Sequence, residues 1–240
     1  MADRAAIVTG ASSGIGLAIA RVLGQEGFRL TVAARRPEKL SAAVEGLRAD
    51  GCEVVEVAAN LTSEEDIQRV VAAHRDRYGR LDVLVNNAGI GIGAPVGETQ
   101  TKRLDMQLDL NLRAIVLFYR ECLDLLKAAG AEHHNALVVN TASIAGKRGQ
   151  AWLSIYSATK FAVIGFTQSM NQELSGDGIK STALAPAFVD TPMTDFVKGE
   201  VDAEDMIRPE DIAASVRFLL SLSPACIVPE IMFVRPGDPA

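Results

Sequence analysis

Ala5-Ala6-Ile7-Val8-Thr9-Gly10-Ala11-Ser12-Ser13-Gly14-Ile15-Gly16 carries a short apolar run into a glycine-rich turn, and a helical pattern starts immediately after it. Glycines at such a turn let the backbone pass close to a phosphate group, while the first N–H groups of the helix and the positive end of its dipole face the same point. A plain strand-to-helix turn can also be rich in glycine. What gives this one meaning is its place between strand and helix, which makes Gly10, Ser12, Ser13, Gly14, Ile15 and Gly16 candidates for holding a pyrophosphate.

Outward from that turn, apolar runs and helical segments alternate to the end of the chain. Strands are expected at 5–9, 29–33, 53–58, 81–85, 136–140, 180–184 and 231–234. Their apolar residues are continuous rather than alternating, as in strands buried on both faces. Thr62-Ser63 followed by Glu64, Glu65 and Asp66, with Gly79 downstream, marks one helix, and Pro209 with Glu210 and Asp211 starts another. The pattern predicts an α/β fold: a single-domain, doubly wound (Rossmann) parallel sheet of about seven strands with helices on both faces, spanning residues 1–240. The segment 186–207 is expected to be a mobile substrate loop, because it follows a strand and mixes Pro, Thr, Gly and acidic residues.

Composition narrows the function. A net charge of −6 argues against nucleic acid or an anionic membrane as partner. The apolar runs are too short to span a bilayer, and Met1-Ala2-Asp3-Arg4 leads straight into a strand, so a cytoplasmic location is expected. Cys52, Cys122 and Cys226 lie in apolar contexts without C-x-x-C spacing, and they form no metal pattern with His74, His133 and His134. Buried thiols and no metal are expected.

Two features point to chemistry. Tyr156 and Lys160, four apart on a helix, share one face. A phenol with a reference pKa of about 10 is shifted toward neutrality by a nearby ammonium, and such a pair is suited to proton transfer with a carbonyl oxygen. The same spacing also serves simple packing of a lysine stem on a ring. The second strand ends Ala33-Ala34-Arg35-Arg36, with no carboxylate where one would bind ribose hydroxyls. The guanidiniums of Arg35 and Arg36 match a 2′-phosphate instead, which favours NADP(H) over NAD(H).

With these pieces in place, the chain resembles the classical short-chain dehydrogenase/reductase family from Thr9 to its last strand. Asn86-Asn87-Ala88-Gly89 closes the fourth strand as in that family. Asn111, Ser143, Tyr156 and Lys160 match its catalytic tetrad in order, Ser143 standing thirteen residues before Tyr156. The resemblance implies that Tyr156 is the acid/base, that Ser143 binds the same substrate oxygen, and that Lys160 serves both Tyr156 and the nicotinamide ribose. Asn111 would hold a proton-relay water. It further implies that Asn60, Leu61, Asn87, Ala88, Gly89, Pro186, Val189 and Thr191 contact the cofactor.

Three departures qualify this. Asn60 stands where many members have Asp. Pro186-Ala187 replaces Pro-Gly, which would strain a backbone needing positive φ. The tail from Cys226 to Gly237 lacks the usual Thr-Gly and Asp-Gly-Gly elements, on which the standard tetramer contacts rest; a homo-oligomer, dimer or tetramer, is still expected. The leading expectation is an NADP(H)-dependent reductase of ketones, with 3-oxoacyl groups as one candidate and a small-molecule carbonyl or alcohol as substrate. A cofactor-binding regulatory or scaffold protein, or an epimerase or dehydratase on the same fold, are the alternatives. Ile90, Ile92, Trp152, Phe188, Met193 and Phe196 are candidates for an apolar pocket.

Overall fold

The computed structural model describes residues 4–197 and 201–238. Seven parallel strands form one sheet in the order β3-β2-β1-β4-β5-β6-β7: β1 Ala5–Thr9, β2 Arg29–Ala34, β3 Val54–Ala58, β4 Val83–Asn86, β5 Ala136–Thr141, β6 Ile179–Pro186 and β7 Glu230–Phe233. The crossovers are helical: α1 Gly14–Gln25, α2 Pro37–Ala49, α3 Glu64–Tyr78, α4 Thr101–Leu108, α5 Ala114–His133, α6 Ser154–Leu174 and α7 Pro209–Ser221. The doubly wound sheet expected from the alternating pattern is therefore present, with strand ends shifted by at most two residues.

Two apolar cores lie on opposite faces of the sheet. Ala6, Val8, Leu30, Val32, Val83, Val85 and Val139 point toward α1, α2 and α7. Ile7, Ala33, Leu84 and Val138 point toward α3, α5 and α6, where Phe118 and Val163 meet them. Burial on both faces explains why no apolar–polar alternation exists in these strands. Helix ends follow the local chemistry. Ser63 caps α3 by accepting from the Asp66 N–H at 3.2 Å, three acidic residues fill its first turn, and Gly79 ends it at φ 67°.

A polar ladder crosses the sheet beneath the strand ends. Asn86 donates to Asn140 Oδ1 at 2.9 Å, and Asn140 donates in turn to the Tyr119 hydroxyl at 2.9 Å and to Thr167 Oγ1 at 3.0 Å. The Tyr119 hydroxyl reaches Ser181 Oγ at 2.9 Å. These groups are buried, so the mutual bonds offset a desolvation cost that each would otherwise bear alone. Of the cysteines, Cys52 and Cys122 are buried as expected, whereas Cys226 is half-buried. Among the described residues no helix is long and apolar enough to cross a membrane.

The segment 186–207 is not simply irregular. Val189 bridges to Ile207 in parallel pairing, and short 3-10 turns occupy Pro192–Val197 and Ala203–Asp205. Residues 198–200, and the side chain of Phe196, lie outside the described part.

Candidate active site

Winding proceeds outward in one direction from β1 through β2 and β3, and in the other from β4 to β7. Such a reversal opens a crevice at the carboxyl ends of the central strands. The glycine turn after β1 faces it. Gly10 and Gly14 hold φ of 66° and 54°. A Cβ at Gly16 would lie 2.5 Å from Asn87 Nδ2 and from the Gly10 carbonyl, and one at Gly14 would lie 2.8 Å from Thr191 Cγ2. Backbone therefore passes where no side chain could fit. Ser13 caps α1 without a side-chain bond, and no acidic residue occupies the first turn, so the leading N–H groups of α1 remain open to an anion.

Asn87 ties this turn to the middle of the sheet. Its Nδ2 donates to the Thr9 carbonyl at 3.1 Å, its N–H donates to Thr9 Oγ1 at 2.9 Å, and its Oδ1 accepts from Thr141 Oγ1 at 3.2 Å. Ala88 N–H also donates to Thr9 Oγ1, at 3.1 Å. Gly89 follows, and a Cβ there would stand 3.2 Å from Asn111 Oδ1 and 3.5 Å from Lys160 Nζ. The glycine thus keeps open the space between these two groups.

Asn111 sits in a wide, π-type turn, Asp109–Arg113, between α4 and α5. Such a turn inserts an extra residue and marks functional positions more often than chance. Its amide is held from two sides: Oδ1 accepts from the Ile90 N–H and Nδ2 donates to the Ile90 carbonyl, both at 2.8 Å, with Thr159 Oγ1 at 3.1 Å. Ser143 follows β5 and caps a 3-10 turn, Ile144–Gly146, its Oγ accepting from the Ala145 N–H at 3.2 Å.

Tyr156 and Lys160 lie on the first turns of α6, with Lys160 Nζ 5.6 Å from the centre of the Tyr156 ring. Their shared face is as expected. Burial raises the Tyr156 phenol above its ordinary value, and a hydrogen bond with Ser143 opposes that shift. The Lys160 ammonium donates to the Thr141 carbonyl at 2.7 Å. Burial pulls Lys160 itself down to about 8. The phenol is consequently protonated at neutral pH.

The remaining candidates divide. Arg35 and Arg36 are exposed at the end of β2 and make no ion pair among the described residues. Asn60, expected to reach an adenine, uses its amide locally: Oδ1 accepts from Thr62 Oγ1 at 3.1 Å, while its N–H donates to Asp66 at 2.6 Å. Leu61 is buried against the α3–α5 core. The strain feared at Ala187 does not arise, since among the described non-glycine residues only His134 and Trp152 have positive φ. Ala187 N–H instead donates to the Phe233 carbonyl at 2.8 Å, prolonging the pairing of β6 with β7. Thr9, Thr141 and Thr159 were not among the sequence candidates. Their signal was a hydroxyl residue closing a fully apolar strand or buried beside Tyr156.

An open parallel sheet with a glycine turn at its switch point defines a dinucleotide-binding type of fold, and a Tyr, Lys, Ser and Asn cluster lies at the carboxyl ends of β4 and β5. The model of the short chain dehydrogenase family matches residues 4–201, and the chain belongs to that family of oxidoreductases. A Streptomyces coelicolor protein named "Putative ketoacyl reductase" is 36% identical, with 97% of this chain and 95% of that protein covered. A tryptophan variant of actinorhodin polyketide ketoreductase, solved with NADPH, superposes with a TM-score of 0.86 at 35% identity, covering 96% of this chain and 95% of that one. The alcohol dehydrogenase of Thermococcus sibiricus, solved with 5-hydroxy-NADP, gives 0.88 at 29% identity over 99% of both chains.

Proposed function

We propose that the protein is an NADP(H)-dependent ketone reductase, interconverting carbonyl compounds and secondary alcohols. The observation carrying this reading is the convergence of Tyr156, Ser143, Lys160 and Asn111 beside an open glycine cradle that a Cβ would fill. That cradle suits a dinucleotide pyrophosphate, with Gly10, Ser12, Ser13, Gly14, Ile15 and Gly16 around it. Asn60, Leu61, Asn87, Ala88, Gly89, Pro186, Val189 and Thr191 complete the binding set. The unpaired guanidiniums of Arg35 and Arg36 support recognition of a 2′-phosphate. NADPH and 5-hydroxy-NADP in the two solved relatives are in keeping with this.

When bound, the nicotinamide supplies or accepts the hydride. Tyr156, protonated at neutral pH, gives its proton to the carbonyl oxygen in the reductive direction and takes it back in the other. Ser143 Oγ stabilises the charge developing on that oxygen. The Lys160 ammonium, positive below about pH 8, favours the phenolate that remains. Asn111, fixed by Ile90, keeps Gly89 and Lys160 in register and leaves room for a relay water between them.

The whole chain acts as one domain, with 186–207 as the substrate loop. Exposed apolar side chains on α4 to α6 (Leu108, Val116, Phe161) and near β7 (Phe218, Met232, Val234) support association into a dimer or tetramer. Substrates are small carbonyl compounds, 3-oxoacyl thioesters among them, in keeping with the named ketoreductases. The test is NADPH consumption across ketones, aldehydes, quinones and 3-oxoacyl thioesters, with alcohols run on NADP⁺. Absence of turnover in every class, despite NADPH binding, would favour a regulatory role.

A further inference from the structure

Trp152 is the only tryptophan in the chain, and its backbone is left-handed, at φ 68°. A bulky residue there is disfavoured and persists only where its surroundings over-determine it. Here they do. The Trp152 carbonyl accepts from the Ala94 N–H at 2.8 Å, and the Leu153 N–H donates to the Gln150 carbonyl at 3.2 Å, closing the turn that feeds directly into α6.

The indole lies against Gly93. A Cβ built at Gly93 would come no more than 2.6 Å from three atoms of the ring, so only glycine permits the contact. Two residues earlier, a Cβ at Gly91 would meet the Tyr156 ring at an ordinary 3.6 Å. Gly91 and Gly93, whose Cα atoms are at most about 7 Å apart, thus face the Tyr156 ring and the indole in turn along one loop. With its Gly93 side covered, Trp152 is still 53% exposed. Trp152 lines a small cleft together with Ile92, Ala94 and Ile155 and the polar Thr99, Arg103 and Gln107.

We propose that Trp152 is a specificity-determining residue: its open face is the platform on which the planar ring of an aryl ketone stacks while the carbonyl reaches Tyr156. The inference rests on the reductase reading and names its substrate class. Stacking on a held indole contributes beyond area burial, and a flat partner makes the larger contact. The strained turn and the glycine beneath keep the ring from rotating away when the cleft is empty.

The single tryptophan makes the test direct. Emission of the enzyme holding NADP⁺, which cannot reduce a ketone, is titrated with acetophenone and with cyclohexanone. Acetophenone should give a saturable change, and cyclohexanone only a linear one. In turnover with NADPH, Trp152→Ala should raise KM for acetophenone at least tenfold while moving KM for cyclohexanone less than threefold. Gly93→Ala should copy it by displacing the indole, and Trp152→Phe should restore most of the affinity. Equal losses for both ketones, or a linear response to both, would overturn the platform while leaving the reductase reading intact. A saturable acetophenone response without reduction of any carbonyl would uphold the platform and sink the reductase reading.

Discussion

Lys160 is 4% exposed, and its ammonium has one hydrogen-bond partner among the described residues, the Thr141 carbonyl. Burial moves its pKa from 10.5 to about 8, so near neutrality the folded protein holds a charge it would rather not carry. At about 1.4 kcal/mol per pKa unit, that charge costs about 3 kcal/mol at pH 7. The sign follows from proton counting. Between pH 8 and 10.5 the unfolded chain still binds the lysine proton and the folded one has released it, so this group's contribution to stability rises with pH. By pH 10 the cost falls below about 1 kcal/mol. Lys160→Met removes the charge but leaves the Thr141 carbonyl without its donor, a loss of about 1–3 kcal/mol that does not depend on pH. The variant should therefore equal or exceed wild type in stability at pH 7, and lose about 2 kcal/mol relative to it by pH 10, while losing nearly all turnover. Urea unfolding of both proteins at the two pH values measures the difference, and any alkaline effect common to both cancels. A variant-minus-wild-type difference that is the same at pH 7 and pH 10 would refute the reasoning.

Tyr156→Phe should abolish nearly all turnover while NADPH affinity, followed by fluorescence titration, stays close to wild type, because only the transferable proton is removed. Ala34→Asp combined with Arg35→Ala should shift the ratio of kcat/KM values from NADPH toward NADH by about tenfold or more, since each charge-assisted bond lost is worth about 1.5–3 kcal/mol; Arg36 retains part of the phosphate affinity, and an unchanged ratio would remove these arginines from cofactor choice. His74 bonds Thr31 Oγ1 and the Arg80 carbonyl, each at 2.8 Å, and burial holds its pKa at about 4 against an ordinary 6.5. Because the unfolded chain takes up that proton first, wild type should lose up to about 3 kcal/mol as pH falls from 6.5 through 4, and His74→Gln should flatten the slope seen in urea titrations across that window.

The sheet was legible because strands covered on both faces must be apolar throughout, and runs such as Ile7-Val8 or Val138-Val139 have no other use at that length. Strand ends were less so. Asn86, Thr141 and Pro186 complete β4, β5 and β6, yet they are residues that the crevice requires rather than residues with strand propensity. The spacing of Tyr156 and Lys160 placed both on one face, but local spacing says nothing of what surrounds a phenol. Its upward shift comes from burial, in which Gly91, distant in sequence, takes part, while the Ser143 hydrogen bond opposes it. Ala187 shows the opposite failure: a substitution that looked strained is relaxed, because the backbone there follows β6 rather than a left-handed turn.

Asn87 joins Thr9 to Thr141, bridging chain that is seventy-eight residues upstream with chain fifty-four residues downstream. Closing loops of that length is among the slower events available to a folding chain. On a ribosome, the glycine turn emerges early and β2 holds it first, the Gly10 N–H donating to the Ala33 carbonyl at 2.8 Å, but the bonds through Asn87 wait until β4 and then β5 have been made and docked. The brace around that turn is therefore completed only when β5 has docked. Chains truncated before β5 should hold NADPH more weakly than the full chain, and fluorescence titration of the two would show the difference.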